Sequence, residues 1–221
     1  MSIHFEQELK DLRAKLLHMA GLAETSVDLA LKSVVNRDDD LARQVQEQDS
    51  ELDQLEIDID DMAVRLLAKA PLAFDLRLIT VAMKTSQDLE RVGDEATTIS
   101  RRALELNQEP QLKEYVDLPR MARMGTDMLK DALDAFLNQD PAKARAVIPQ
   151  DKSVDALNKQ LHRELAGFMI EKPAHITRCL NLMVISKCLE RIADHATNIA
   201  EEVVFLCEGR DIRHQPTAST P

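Results

Sequence analysis

The sequence predicts an all-α protein, a tandem duplication of a three-helix bundle with six long antiparallel helices. Apolar residues recur at spacings of three and four along most of the chain, and no strand-like alternation of β-branched residues competes with them. Leu and Ala, both strong helix formers, are the commonest residues, whereas aromatic residues make up 3% of the chain, with one Tyr and no Trp. One phrase is also spelled twice, as LERVGDEATTIS at Leu89–Ser100 and as LERIADHATNIA at Leu189–Ala200. The repeat extends upstream, where VQEQDSELDQL from Val45 aligns with VIPQDKSVDAL from Val147. A unit of roughly 100 residues is too long for a solenoid repeat and fits a duplicated small domain.

The first helix is carried by Leu9, Leu12, Leu16, Met19 and Ala23. The second runs through Leu41, Val45, Leu52, Leu55, Ile59, Met62 and Leu66, with Asp38, Asp39 and Asp40 signalling its start. Pro71 separates it from the third, which carries Leu78, Ala82, Leu89, Val92, Ala96, Ile99, Ala103 and Leu106. The second copy repeats the set over Met121–Phe136, Val154–Phe168 and Leu182–Leu206. Asp140 followed by Pro141 is an N-cap and first-turn pair, and Pro149 should interrupt the fifth helix. Pro173 separates the fifth from the sixth, and Gly209 stands where a C-terminal cap belongs. The expected organisation is a first bundle over 1–107, a linker over 108–118, a second bundle over 119–209 and a flexible tail over 210–221.

Composition narrows the function. A net charge of -11 argues against binding a nucleic-acid backbone, which needs concentrated Lys and Arg. The isolated glycines form no phosphate-cradling loop. Cys179, Cys188 and Cys207 lie in no C-x-x-C pattern and read as reduced core thiols of a cytoplasmic protein. The start of the chain has acids where a signal peptide has an apolar stretch, and no segment approaches the ~18 apolar residues of a membrane span. The nine Met residues, Met121, Met124 and Met128 among them, read as core packing.

Chemistry concentrates in paired acids. Glu90 and Asp94 are four residues apart, as are Glu190 and Asp194, so each pair projects from one helix face about 40° apart. The second helix carries Asp49 and Asp53, and the fifth carries Asp151 and Asp155 at the equivalent place in the repeat. Counted from the turn near Pro71, the two pairs of the first copy fall at nearly the same height, and the same count around Lys172 matches those of the second. Two helices presenting acids at one level repel unless a cation lies between them, which is the layout of a metal site. Carboxylate oxygens suit hard cations such as magnesium, calcium, manganese or iron, with zinc a further candidate. Asn198 and Glu201 extend the face in the second copy, where the first has Thr98 and Arg101, so the two sites should differ. The rival reading is a carboxylate-bridged metal-dependent enzyme or metal-storage bundle. The Glu-x-x-His signature of such bundles is missing, and His195 reads as a surface residue.

The doubled L-E-R phrases, together with F-D-L-R from Phe74, make the chain similar to the PhoU family of phosphate-signalling proteins from Phe5 to Gly209. The resemblance implies a non-enzymatic cytoplasmic adaptor that links an ATP-binding cassette phosphate transporter to a membrane sensor histidine kinase. Such an adaptor keeps the phosphate-starvation response off when phosphate is plentiful, tends to form a homodimer and meets the membrane only through its partners. It also implies iron or other metal ions in carboxylate clusters. By position these fall on Asp49, Asp53, Glu90 and Asp94, and on Asp151, Asp155, Glu190, Asp194 and Asn198. Thr98 departs from the Asn that usually ends the phrase, which puts the first site second in rank.

Overall fold

A computed structural model describes residues 3–70 and 72–213. The elements are α1 (Ile3–Val35), α2 (Asp39–Leu67), α3 (Ala73–Asn107), α4 (Asp117–Asn138), α5 (Pro141–Val147), α6 (Asp151–Glu171) and α7 (Ile176–Glu208). Among the described residues there is no strand. Short 3-10 turns at Ile148–Gln150 and Pro173–His175 separate α5 from α6 and α6 from α7. Pro149 and Pro173 cause these breaks, because proline lacks the amide that would continue the ladder. The α5 and α6 segments are therefore one interrupted helix, and the long helices number six, as the sequence predicts.

Local signals set the boundaries. The Asp38 carboxylate accepts from the amides of Asp40 at 2.9 Å and Leu41 at 3.1 Å, and Asp140 does the same for Ala142 and Lys143. Gly209 ends α7 with a φ of 66, a conformation that costs a side-chain-bearing residue but not glycine. Pro71 lies outside the described residues.

Arg37 adopts a φ of 56 in the turn between α1 and α2, a strained conformation for a residue with a Cβ. That turn aims its guanidinium at the end of α3. It donates to the carbonyls of Leu106 at 3.3 Å, Asn107 at 2.8 Å and Glu109 at 2.5 Å. A cation on the orphan carbonyls of a C-terminus also opposes the helix dipole.

The helices α1, α2 and α3 form one bundle, and α4, α5–α6 and α7 form the other. The two bundles share one buried core, because α3 packs along α7 and α1 against α4. Pairs at Arg77–Leu206, Lys84–Glu202, Asp88–His195 and Glu95–Arg191 put α3 and α7 in antiparallel register. The register is centred at the level of Val92 and Ile192, so a near-twofold relation between the halves passes through the middle of both repeated phrases. Fully buried Leu12, Leu16 and Met19 in α1 and Met121, Met128 and Leu129 in α4 fill the core on either side.

The connection between the bundles is anchored. Arg178 donates to the Pro110 carbonyl at 2.8 Å and pairs with Glu109 at 3.1 Å, Lys113 meets Glu164, and Tyr115 is buried. Helix α4 starts at Asp117, within the expected linker. Of the expected tail, Ile212 packs on the core and Arg213 pairs with Glu202 at 3.0 Å, while 214–221, His214 included, lie outside the described residues.

Replacing Arg37 with Ala leaves three terminal carbonyls without their cation. Thermal unfolding followed by circular dichroism should show a loss of about 1–3 kcal/mol, a fall of roughly 3–10 °C in Tm. An unchanged Tm would mean that water replaces the guanidinium at no cost.

Candidate carboxylate clusters on the helix seams

The sequence-predicted acids meet along two seams, α2 against α3 and α6 against α7. On the first, Gly93 lies between Glu90 and Asp94, and a Cβ there would stand 2.4 Å from Leu52 Cδ1. The missing side chain lets α2 approach α3 closely and brings Asp49 and Asp53 to the level of Glu90 and Asp94. Thr97 Oγ1 donates to Asp49 Oδ1 at 3.1 Å across the seam. Burial, then Asp94, Glu56 and Asp53, push the Glu90 carboxyl up to about 7. Asp94 is raised by burial, then by Asp49, and Glu56 by burial, then by Asp60 and Asp53.

On the second seam, burial followed by Asp194, Asp155 and Glu190 raises Asp151 to about 6. Asp151 Oδ1 is buried without a hydrogen-bond partner. Asp194 is raised chiefly by burial, with Lys187 opposing. Here the chain supplies its own cations. Lys187 is ion-paired with Glu190, which is 9% exposed, and Lys159 lies 3.4 Å from Asp155.

Glu56 and Asp60 extend the first cluster and were not singled out by sequence. They continue the Asp49–Asp53 face of α2 at spacings of three and four, a signal present in the sequence. Their repeat counterparts are Asn158 and His162, which form a hydrogen-bonded network without carboxylates instead. His162 Nε2 lies 3.0 Å from Ser186 Oγ, which donates to Asn158 Oδ1 at 2.8 Å. The first cluster is thus the more acidic, with Arg91 its nearby cation. Asn198 donates to Asp88 of α3 at 3.2 Å and belongs to the α3–α7 contact rather than to a carboxylate cluster. Glu201 lies near Arg213. His195 is no surface residue. Its ring is 12% exposed and Nδ1 lies 2.9 Å from Asp88 Oδ1.

Among the described residues no three His, Cys, Asp or Glu side chains converge tightly enough to hold a metal as they stand. The donor chemistry nevertheless suits a hard cation: all the candidate donors are oxygens, they raise one another's proton affinity, and two buried carboxylate oxygens, Asp60 Oδ1 and Asp151 Oδ1, have no partner. Cys179 and Cys188 are buried thiols and Cys207 is half-buried, with burial raising each pKa.

The architecture with its doubled seam can be compared with known proteins. The PhoU domain matches residues 16–103 and again 118–203. The chain belongs to the PhoU family. It is 43% identical to the phosphate-specific transport system accessory protein PhoU homolog of Pseudomonas aeruginosa, over 97% of this chain and 89% of that one. It is 36% identical to the phosphate-specific transport system accessory protein PhoU of Escherichia coli, over 97% and 89%. The crystal structure of PhoU from Pseudomonas aeruginosa superposes with a TM-score of 0.90, covering 93% of this chain and 100% of that one. The phosphate transport system regulatory protein PhoU from Streptococcus pneumoniae, 30% identical, superposes at 0.89 over 94% and 99%. No helix among the described residues is long and apolar enough to cross a membrane.

The raised carboxyls fix the sign of a pH effect in this PhoU-family chain. Glu90 has a folded pKa of about 7 against an ordinary 4.5, so its stabilising proton is fully present below the ordinary value and lost as pH rises through about 7. With chelator present, Tm should fall between about pH 5 and about pH 8, and Glu90→Gln should raise Tm at the upper end and flatten the profile. A profile that climbs over this window, or is indifferent to Glu90→Gln, refutes the assignment.

Proposed function

We propose that this protein is a non-enzymatic regulator of phosphate uptake and phosphate-starvation signalling. It acts as a cytoplasmic adaptor, a homodimer, between an ATP-binding cassette phosphate transporter and a membrane sensor histidine kinase, and it keeps the response off when phosphate is plentiful. The observation that carries the reading is similarity along nearly the whole chain to proteins named as accessory and regulatory components of phosphate transport. The geometry supports docking over catalysis. Two rigid acidic seams suit basic or metal-bridged faces of a partner, and docking biases that partner by binding one of its states more tightly. The hydroxyl nearest the second seam, Ser186 beside His162, is fully buried and committed to Asn158, so it is not open to a substrate.

Cation binding is part of the proposal. Asp49, Asp53, Glu90 and Asp94 would hold a metal ion on the first seam, Asp151, Asp155, Glu190 and Asp194 on the second. The ion would supply positive charge that offsets their repulsion and bridges to acidic or phosphorylated partner groups. The first seam should bind more tightly, because Lys187 competes on the second. Calorimetric titration with Mn2+ tests this: Glu90→Ala with Asp94→Ala should weaken the tightest phase by about tenfold or more, and Glu190→Ala with Asp194→Ala should leave it in place. Heat equal to dilution alone removes metal from the proposal.

The function itself is tested by a phosphate-starvation reporter in phosphate-replete cells lacking the gene. The reporter should fire without the gene and fall silent when wild type is restored. Complementation by the chain with Glu90, Asp94, Glu190 and Asp194 all changed to Ala should fail while the protein remains folded. A reporter silent in the deleted strain rejects the adaptor reading.

A further inference from the structure

An open groove of about 560 Å³ runs along the first half of α7 between α6 and the end of α3, and ends at Lys187 beside the second seam. Leu180, 52% exposed, forms its floor with Met183 and Val184, and Arg102 and Lys187 stand at its rim. Asn181 lines it and is 6% exposed, yet its carboxamide has no hydrogen-bond partner among the described residues. Arg102 Nε is likewise buried and unbonded. A buried polar atom is nearly always satisfied in a finished structure, so Arg102 Nε beside an apolar floor, with the open Asn181 carboxamide next to it, marks a surface that awaits a partner.

The duplication shows what such a partner resembles. At the equivalent place across the duplication, Arg102, Leu180, Val184 and Lys187 correspond to Glu202, Thr80, Lys84 and Gln87. There the chain closes the position itself. Arg213 lies 3.0 Å from Glu202, Lys84 lies 2.9 Å from the same carboxylate, and the adjacent Ile212 packs on the core. In the second half the counterpart of Arg213 is Lys113, which is drawn off to Glu164 as the chain turns into α4. The rim arginine is left with only Glu105 of its own helix at 2.9 Å. Charge at the rim is inverted between the halves, and the floor has become apolar.

We propose that the α7 groove docks an extended acidic segment of a partner protein. An apolar side chain of that segment sits on Leu180 and Val184, and a neighbouring carboxylate takes the place opposite Arg102 that Arg213 takes opposite Glu202. The Asn181 carboxamide, donor and acceptor at once, pairs with the main chain of that segment. The occupant is acidic although the whole chain carries -11, so its binding is local complementarity and not the general field. The inference stands apart from the phosphate-signalling reading, and because Lys187 is already paired with Glu190 of the second seam, Arg102 is the rim cation on which it rests.

The probe is a fluorescein-labelled dodecapeptide of Asp and Glu around a central Leu-Leu pair, followed by anisotropy against the full chain. Saturable binding is expected. Arg102→Glu and, separately, Leu180→Asp should each weaken it by about tenfold or more, and raised salt should weaken it further. Thr80→Asp, the equivalent change in the first half, should have no effect. Both key positions are at least partly exposed, and an unchanged Tm confirms that each variant folds. Binding that ignores Arg102→Glu and Leu180→Asp, or absence of saturable binding, overturns the proposal. Sedimentation in which Leu180→Asp dissociates a dimer would assign the groove to a second copy of the chain and overturn it too.

Discussion

The antiparallel packing of α3 on α7 is the constraint from which the other features follow. These two helices carry the repeated phrases, and their register is centred between Val92 and Ile192. Because the core is continuous across this contact, the bundles cannot move as independent domains without exposing fully buried side chains such as Leu89, Val92, Ile192 and Ile199. Burying one such side chain is worth about 1.5–3 kcal/mol, and many would be uncovered together. Each acidic pair lies at the level of the crossing, so both seams sit beside the buried contact between the halves. A site that must hold several like charges together needs such a scaffold, since a loose one would relieve the repulsion by drifting apart.

Duplication places the two halves under the same backbone geometry, and side-chain exchange has then separated their chemistry. Glu56 and Asp60 face Asn158 and His162 in the repeat, and Gln87 faces Lys187, which turns a nearly pure carboxylate seam into one with its own counter-cation. The contact between the halves shows the same divergence. A strict repeat would set Arg91 against His195 as Arg191 is set against Glu95. The structure pairs His195 with Asp88 instead, and Cys188 occupies the counterpart of Asp88.

Helix number, order and most boundaries were legible because they rest on local rules: apolar spacing, Asp38 and Asp140 as caps, Pro149 and Pro173 as breaks, and Gly209 as a stop. The meeting of the acids across each seam was legible from equal distances to a turn. Two things were not. The packing of α3 on α7 joins segments roughly 100 residues apart, and an amphipathic stripe does not say whether it faces its own bundle or the other. The side-chain partners of Asn198 and His195 follow from that contact. The helix face alone extended the acidic run to Asn198, whereas the structure gives it to Asp88 of the other half. The anchoring of the linker was hidden for the same reason, since Arg37 and Arg178, which hold it, come from distant helices.

The charge of the molecule is uneven in a way that bears on how it meets other proteins. Acids gather on the two seams at mid-height, while the open groove near the start of α7 has a cationic rim and an apolar floor. A partner steered by the overall field would arrive with a basic face and settle on the seams, with a rate that falls as salt is raised. A segment bound in the groove would come against that field and depend on contact instead. The two surfaces lie on different stretches of α7, the groove around Leu180 and Val184 and the acids around Glu190 and Asp194. One helix therefore joins them within a single rigid core. Were partners of opposite charge to bind, one on each surface, that shared core would hold them in fixed relative orientation, as the proposed adaptor role requires.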